Sequence, residues 1–323
     1  MRVLVTGASG FIGAHVARLL AARGDTVRAL CRTAPPASAG PVEWTQGDVT
    51  DAAAVTAAVE GCDAVVHTAA LYSYARADAA AMWAVNVGGT RHVLDAAAGR
   101  GARVVVTSTA ATCGPVAGRV ADERDAPAAW ELQVPYKATK LAAERLALAR
   151  AADGADVVVV NPTTVVGPGD RRPTPSGQML RDAAAGRMRG YLPRAAINVV
   201  AVEDVAAGHL LALERGRAGE RYLLGGEDLP LREALAIAAG AAGRPAPRMP
   251  VPWRAALAAA HVARAAARLR GREPHLLVLD EVRLARVPMR FSSAKAAAEL
   301  GYAARPAREA LLAAVAWLRD GAA

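Results

Sequence analysis

The chain has 323 residues, 53% of them hydrophobic and only 4% aromatic, enough for one large core and a smaller one beside it. Its net charge of +9 raises nucleic-acid binding, but the basic residues are nearly all arginines scattered singly, without a basic run of five or aromatic interleaving, so that class is set aside. Cys31, Cys62 and Cys113 are odd in number, far apart and in no C-x-x-C, which argues against a disulfide framework or a zinc site and for buried thiols in a reducing compartment.

The first elements announce the fold class. Arg2 to Thr6 is a strand-type apolar run, and helical periodicity begins by Phe11 and stops at Gly24. Strands are expected at Thr26 to Cys31 and Val42 to Gln46, followed by Gly47-Asp48-Val49-Thr50-Asp51 and a helix ending near Gly61. A fourth strand covers Ala64 to His67, a long helix Ala79 to Gly99, and a fifth strand Arg103 to Thr107. This alternation predicts an α/β fold with a doubly wound parallel Rossmann sheet. An irregular stretch from Gly114 to Pro135 precedes a helix from Tyr136 to Ala152 and a sixth strand from Asp156 to Val160. Beyond Pro162 the pattern changes, with a Gly-Pro-Gly and Arg-Pro-Thr-Pro loop and short elements. Residues 1–161 are expected to form the dinucleotide-binding domain, with 198–217 returning to it through a helix over Val202 to Arg215. Residues 162–323 are expected to form a smaller, mostly helical substrate domain. No uncharged apolar stretch approaches 18 residues and the first strand begins at residue 2, so a cytoplasmic protein without a membrane span or leader is expected.

The chemistry begins at the first turn. Gly7, Gly10 and Gly13 fall where the first strand enters its helix, in a G-x-x-G-x-x-G spacing. Gly7 suits a tight turn, Gly10 lets backbone approach a pyrophosphate, and Gly13 lets helix pack on strand. With Ser9, Phe11 and Ile12 they form the expected phosphate cradle. Arg32 ends the second strand, nineteen residues after Gly13, with no acidic neighbour in sequence. An arginine at the ribose-reading position clamps a 2′-phosphate, so NADP is favoured over NAD. Asp48 and Val49 sit where an adenine edge would lie, and Thr68, Ala69 and Ala70 are small enough for a ribose to rest on. His67 receives no catalytic role. Tyr136 and Lys140 are four apart on one helix face, and a neighbouring ammonium is expected to lower the phenol pKa by about one to three units. The pair would be an acid/base for carbonyl–alcohol interconversion, with Lys140 also holding ribose hydroxyls.

Thr6–Gly13, Gly47–Val49, His67–Ala70, Asn86–Thr90, Thr107–Gly114, Tyr136–Lys140 and Pro162–Pro168 together resemble the extended short-chain dehydrogenase/reductase family over nearly the whole chain. Within it, Asn161–Pro168, Gly225-Gly226-Glu227 and Phe291–Lys295 are similar to the hopanoid-associated sugar epimerase group, and the Pro-Thr-x-Val-Val-Gly-Pro pattern is shared with dihydroflavonol-reductase-like enzymes. The resemblance implies a Thr109–Tyr136–Lys140 triad, with Thr109 chosen over Ser108 by counting back from Gly114. It adds Thr107, Pro162 and Thr164 to the cofactor-binding set, gives Asn86 the task of steadying the lysine side, and implies a homodimer through the long helices.

Three functions follow. One is an NADP(H)-dependent reductase or dehydrogenase acting on a ketone, aldehyde or alcohol. Another is a nucleotide-sugar epimerase or dehydratase retaining NAD(P); its usual diphosphate-contacting Asn corresponds here to Thr164, which reaches less far. The last is a non-enzymatic NADP-binding regulator, against which the retained Tyr136 and Lys140 argue. No metal ligand set is evident and the substrate is not legible. Pro252 to Arg272, with Trp253, Leu257, Val262 and Leu269, reads as a lid or packing helix of the substrate domain, with membrane contact by a basic amphipathic helix as the alternative.

Overall fold

A computed structural model describes residues 1–33, 40–269 and 278–321. The chain opens with β1 (Arg2–Thr6), α1 (Phe11–Ala22), β2 (Thr26–Cys31), β3 (Glu43–Gln46), α2 (Ala52–Val59) and β4 (Ala64–His67). The single long helix expected next is instead α3 (Ala79–Met82), a π-helical segment Trp83–Gly88, and α4 (Gly89–Ala98). The extra residue per turn lets Asn86 point inward, where it is buried and makes three side-chain hydrogen bonds, two to Leu71 and one to Thr139. β5 (Arg103–Thr107), α5 (Pro135–Ala152) and β6 (Val157–Pro162) follow.

The second half contains β7 (Thr164–Val166), α6 (Pro175–Ala184), β8 (Gly190–Tyr191), β9 (Ala196–Ala201), α7 (Val202–Arg215), β10 (Arg221–Leu224) and β11 (Glu227–Pro230). It closes with α8 (Leu231–Ala241), β12 (Met249–Pro250), α9 (Trp253–Leu269), α10 (Leu279–Leu284), α11 (Ala294–Leu300) and α12 (Ala307–Asp320). Residues 270–272 of the helix expected over 252–272 lie outside the described residues.

The central sheet has seven strands in the order β10-β6-β5-β4-β1-β2-β3, all parallel. β10 is a strand that the sequence reading lacks. Alternation along the strands loads both faces. Val3, Val5 and Val66 face a core shared with α1 and α7, through Val16, Leu20, Val205 and Leu213. Leu4, Val65 and Val104 face the opposite core, with Val55, Val93, Leu94 and Ala147 from α2, α4 and α5. Both faces are therefore covered, as parallel sheets require.

A three-stranded sheet, β11-β9-β7, carries a further core built with α6, α8 and α12. β8 and β12 form a separate pair, and α9 packs on α10 through Ala256, Ala260, Leu279 and Val282. Trp253 fixes that packing by donating its indole N–H to the Val282 carbonyl at 2.8 Å. The three cysteines are buried free thiols. Among the described residues no helix is long and apolar enough to cross a membrane, and no His/Cys/Asp/Glu cluster could hold a metal.

Candidate active site

The β1–α1 turn is built for close approach. Gly7 sits at φ +74°, and a Cβ there would stand 2.8 Å from the Ala69 backbone. A Cβ on Gly13 would come within 2.3 Å of the Gly7 carbonyl oxygen and 2.5 Å of Thr68 Oγ1. Only glycine lets this turn press against the end of β4. Gly10 caps α1 without a side chain, no acidic residue occupies the first turn, and the Phe11, Ile12 and Gly13 amides find no acceptor among the described residues. Such a helix end attracts phosphate, so the cradle fits a dinucleotide pyrophosphate. Ser9 and Ala70 are exposed on its rim, with Phe11, Ile12, Thr68 and Ala69 half-buried. Thr68 is held by its hydroxyl on the Thr6 carbonyl at 2.7 Å.

Arg32 projects beyond β2 with its side chain 68% exposed. Contrary to its sequence surroundings, it has an acidic neighbour: its Nε lies 3.8 Å from Asp48 Oδ2. The cause is strand pairing, since β2 and β3 run parallel with Cys31 opposite Gln46, so the residues following each strand converge. Asp48 Oδ1 is already occupied by the Thr50 amide and hydroxyl, both at 2.9 Å. Val49 is buried, and its carbonyl is bonded to His92 at 2.9 Å.

Tyr136 and Lys140 lie on the first turns of α5, beside the end of β5. Lys140 is 5% exposed and donates from Nζ to the Thr107 carbonyl at 2.7 Å. Burial pulls its ammonium down to about 8, against an attraction from Glu144 that holds it up. The phenol behaves otherwise than the Tyr-Lys spacing suggests. Desolvation pushes Tyr136 up to about 12, and only the Thr109 hydroxyl draws it partway back. The ammonium is engaged with Thr107, and the phenol is in its protonated form at neutral pH. Thr109 and Ser108 separate as alternation along a strand demands. Thr109 is half-buried, meets Tyr136 and also accepts from the Ala111 amide at 3.3 Å, whereas Ser108 Oγ is buried without a partner among the described residues.

Beneath these residues lies a polar layer that sequence reasoning missed in part. His209 of α7 donates from Nδ1 to the Val205 carbonyl at 2.8 Å, so its Nε2 accepts the Thr107 hydroxyl at 2.8 Å. Burial holds His209 down at about 4 and His67 at about 3. His67 is a structural link, 2.7 Å from Thr6 Oγ1 and 3.1 Å from Thr90 Oγ1. Asn86 meets α5 at Thr139, whose hydroxyl in turn donates to the Tyr136 carbonyl at 2.9 Å. Its carboxamide accepts from the Leu71 amide at 2.8 Å and donates to the Leu71 carbonyl at 3.0 Å and to Thr139 Oγ1 at 3.1 Å. Glu144, 1% exposed, accepts from Thr112 Oγ1 at 2.7 Å, Asn161 Nδ2 at 2.6 Å and Arg221 at 2.6 Å. Pro162 closes β6 opposite Leu224, and Thr164 is half-buried in β7 opposite Val199.

Tyr72 and Tyr74 follow β4 and form an aromatic wall. Tyr72 stacks on Tyr136, and its hydroxyl lies 3.1 Å from that of Tyr74. Glu281 of α10 faces the two outer phenols, and burial together with Asp182 pushes its carboxyl up to about 7.

Residues 3–225 match the model of the NAD dependent epimerase/dehydratase family. A putative dihydroflavonol 4-reductase of Synechocystis sp. is 37% identical, covering 98% of this chain and 94% of the relative. Sterol demethylase protein B of Methylococcus capsulatus is 35% identical, covering 99% of each. The solved structure of MoeE5 in complex with UDP-glucuronic acid and NAD is 28% identical, with a TM-score of 0.78 over 99% of this chain and all of that one. A matching family model over the glycine turn, the parallel sheet and the Tyr136–Lys140 helix leads to one conclusion: the chain belongs to the NAD-dependent epimerase/dehydratase family of extended short-chain dehydrogenases/reductases and is an NAD(P)-dependent oxidoreductase.

Proposed function

We propose that the protein is an NADP(H)-dependent reductase, or alcohol dehydrogenase in reverse, acting on the carbonyl of an apolar, ring-bearing molecule. The observation that supports this most is Tyr136 bonded to Thr109 with its phenol held protonated, one helical turn from Lys140, whose ammonium is anchored on the Thr107 carbonyl at the end of β5. NADPH, when bound, supplies the hydride. Tyr136 gives its proton to the carbonyl oxygen as negative charge develops there, and Thr109 donates a hydrogen bond to the same oxygen. Lys140 spends one N–H on Thr107, and its two others are available for ribose hydroxyls. The substrate class rests on the aromatic wall of Tyr72 and Tyr74 and on relatives named for a dihydroflavonol and a sterol. A homodimer through α4 and α5 in the cytoplasm belongs to the same reading.

The MoeE5 complex supports a second reading, an epimerase or dehydratase that keeps its nucleotide. The nucleotide released on denaturing the purified protein separates the two. Exchangeable NADPH supports the reductase, and stoichiometric, tightly held NAD supports the alternative. Tyr136→Phe keeps the ring and removes the proton, so turnover falls by about two to four orders of magnitude with nucleotide affinity unchanged. Near-normal turnover in that variant rejects the assignment.

A further inference from the structure

Tyr136, Lys140 and Glu144 succeed one another at four-residue intervals, and so run along one face of α5. Tyr136 is half-buried, Lys140 is 5% exposed and Glu144 is 1% exposed. A carboxylate this deep has lost its hydration and needs compensation. It finds three donors, one each from a 3-10 turn, β6 and β10. Oε2 takes Thr112 Oγ1 and Asn161 Nδ2, and Oε1 takes Arg221. Two of those donors bear directly on the Thr109 turn. The single hydroxyl proton of Thr112 is shared between Glu144 Oε2 and the Thr109 carbonyl, each 2.7 Å away, and Asn161 Nδ2 approaches that carbonyl at 3.2 Å. The carboxylate thus fixes the backbone that presents Thr109 to Tyr136.

Its charge acts in the other direction along the helix. The titratable groups around Lys140 and Glu144 are His67 from β4, His209 from α7, Cys113 beyond β5, Arg221 from β10 and Glu123 before α5, with Tyr136 on α5 itself. Both histidines are held neutral, and burial pushes the Cys113 thiol up to about 12. Glu123 turns its Oε1 to the Leu223 amide at 2.8 Å, near Arg221. Glu144 is the anion that acts on Lys140.

We propose that Glu144 is a positioning residue of this site, its buried carboxylate holding the Thr109 turn by hydrogen bonds and standing one helical turn beyond Lys140 as its counter-charge. The proposal rests on the Thr109–Tyr136–Lys140 reading, and its test separates the two. The chain has three lysines, Lys137, Lys140 and Lys295, so protein labelled with 13C at lysine Cε gives few resonances and Lys140 can be titrated directly. In Glu144→Gln the Lys140 midpoint falls by about one pH unit or more, and the alkaline limb of ketone reduction falls with it. A folded Glu144→Gln whose Lys140 midpoint stays at the wild-type value overturns the proposal. Should that variant not fold, Arg221→Gln decides. Removing the cation that competes for Glu144 raises the Lys140 midpoint, and a fall or no change overturns the proposal. The wild-type titration is a third check, since a midpoint at or below about 6, where burial alone takes a lysine, leaves no counter-charge to explain. Tyr136→Phe is assayed alongside: retained turnover in that variant rejects the site reading, while the Lys140 titration still decides the role of Glu144.

Discussion

Tyr72 lies stacked on Tyr136, ring centroids 3.9 Å apart and planes 18° from parallel. The outer ring removes water from one face of the phenol beneath it, and desolvation is the main cause of that phenol's weak acidity. Tyr72→Ala readmits water. The phenolate then forms at lower pH, so the acid limb of alcohol oxidation moves down, and KM for a fused-ring substrate rises as the stacking surface, worth about 1 kcal/mol, is lost. A pH profile of oxidation in the two proteins checks both effects.

Arg32 and Asp48 make the nucleotide preference a competition. An arginine bonded to a 2′-phosphate contributes a charge-assisted contact, whereas Asp48 at 3.8 Å repels that phosphate. The expected outcome is that NADPH binds more tightly than NADH in the unmutated protein and that Arg32→Ala loses about tenfold or more of that preference. Asp48→Asn moves the preference further toward NADPH. Fluorescence titration of the two nucleotides against the three proteins provides the measurement.

The two adjacent hydroxyls of Ser108 and Thr109 behave differently on removal. Thr109→Val preserves shape and removes the group facing Tyr136, lowering kcat by about 10²-fold. Ser108 Oγ is buried and unbonded among the described residues, so Ser108→Ala removes an uncompensated polar group and leaves activity within about tenfold, with stability unchanged or higher. Loss of activity in Ser108→Ala alone would reverse the register.

His67 and His209 are buried neutral, held at about 3 and about 4. The unfolded chain titrates them near 6.5, so below that pH it binds protons that the folded chain refuses. Their neutral form is therefore compatible with full stability above about 6.5, and each costs about 1.4 kcal/mol per pH unit as the pH falls toward its folded value. Denaturant melts between pH 7 and pH 5 show this slope, and His209→Gln flattens it.

The features that could be read in the sequence are local ones. The glycine turn and the Tyr136–Lys140 pair each lie within a few residues, and their spacing carries their geometry. Arg32 was legible but its acidic partner was not, because pairing of β2 with β3 brings Asp48 in. His209 meets Thr107 across 102 residues and Arg221 meets Glu144 across 77, distances over which no periodicity operates. Glu144 did leave a local signal, four residues beyond Lys140, in the same spacing that links Lys140 to Tyr136. β10 has a glycine boundary in Gly225-Gly226, but Arg-Tyr-Leu-Leu is only four residues long and mostly buried on both faces, so it shows no alternation to mark it as a strand. The phenol's acidity was misjudged because helical spacing says nothing about how deeply Tyr136 is covered.

The seventh strand also sets an order of assembly during synthesis. Chains emerge from the ribosome N-terminus first, and domains fold as units. The glycine turn and its partners at the end of β4 are complete within the first 69 residues. Glu144 leaves the tunnel long before Arg221, and Thr107 long before His209. A nascent chain that already carries its glycine turn therefore still lacks the guanidinium that meets Glu144 and the imidazole that meets Thr107, and the candidate site is finished only when α7 and β10 have crossed back to close the sheet.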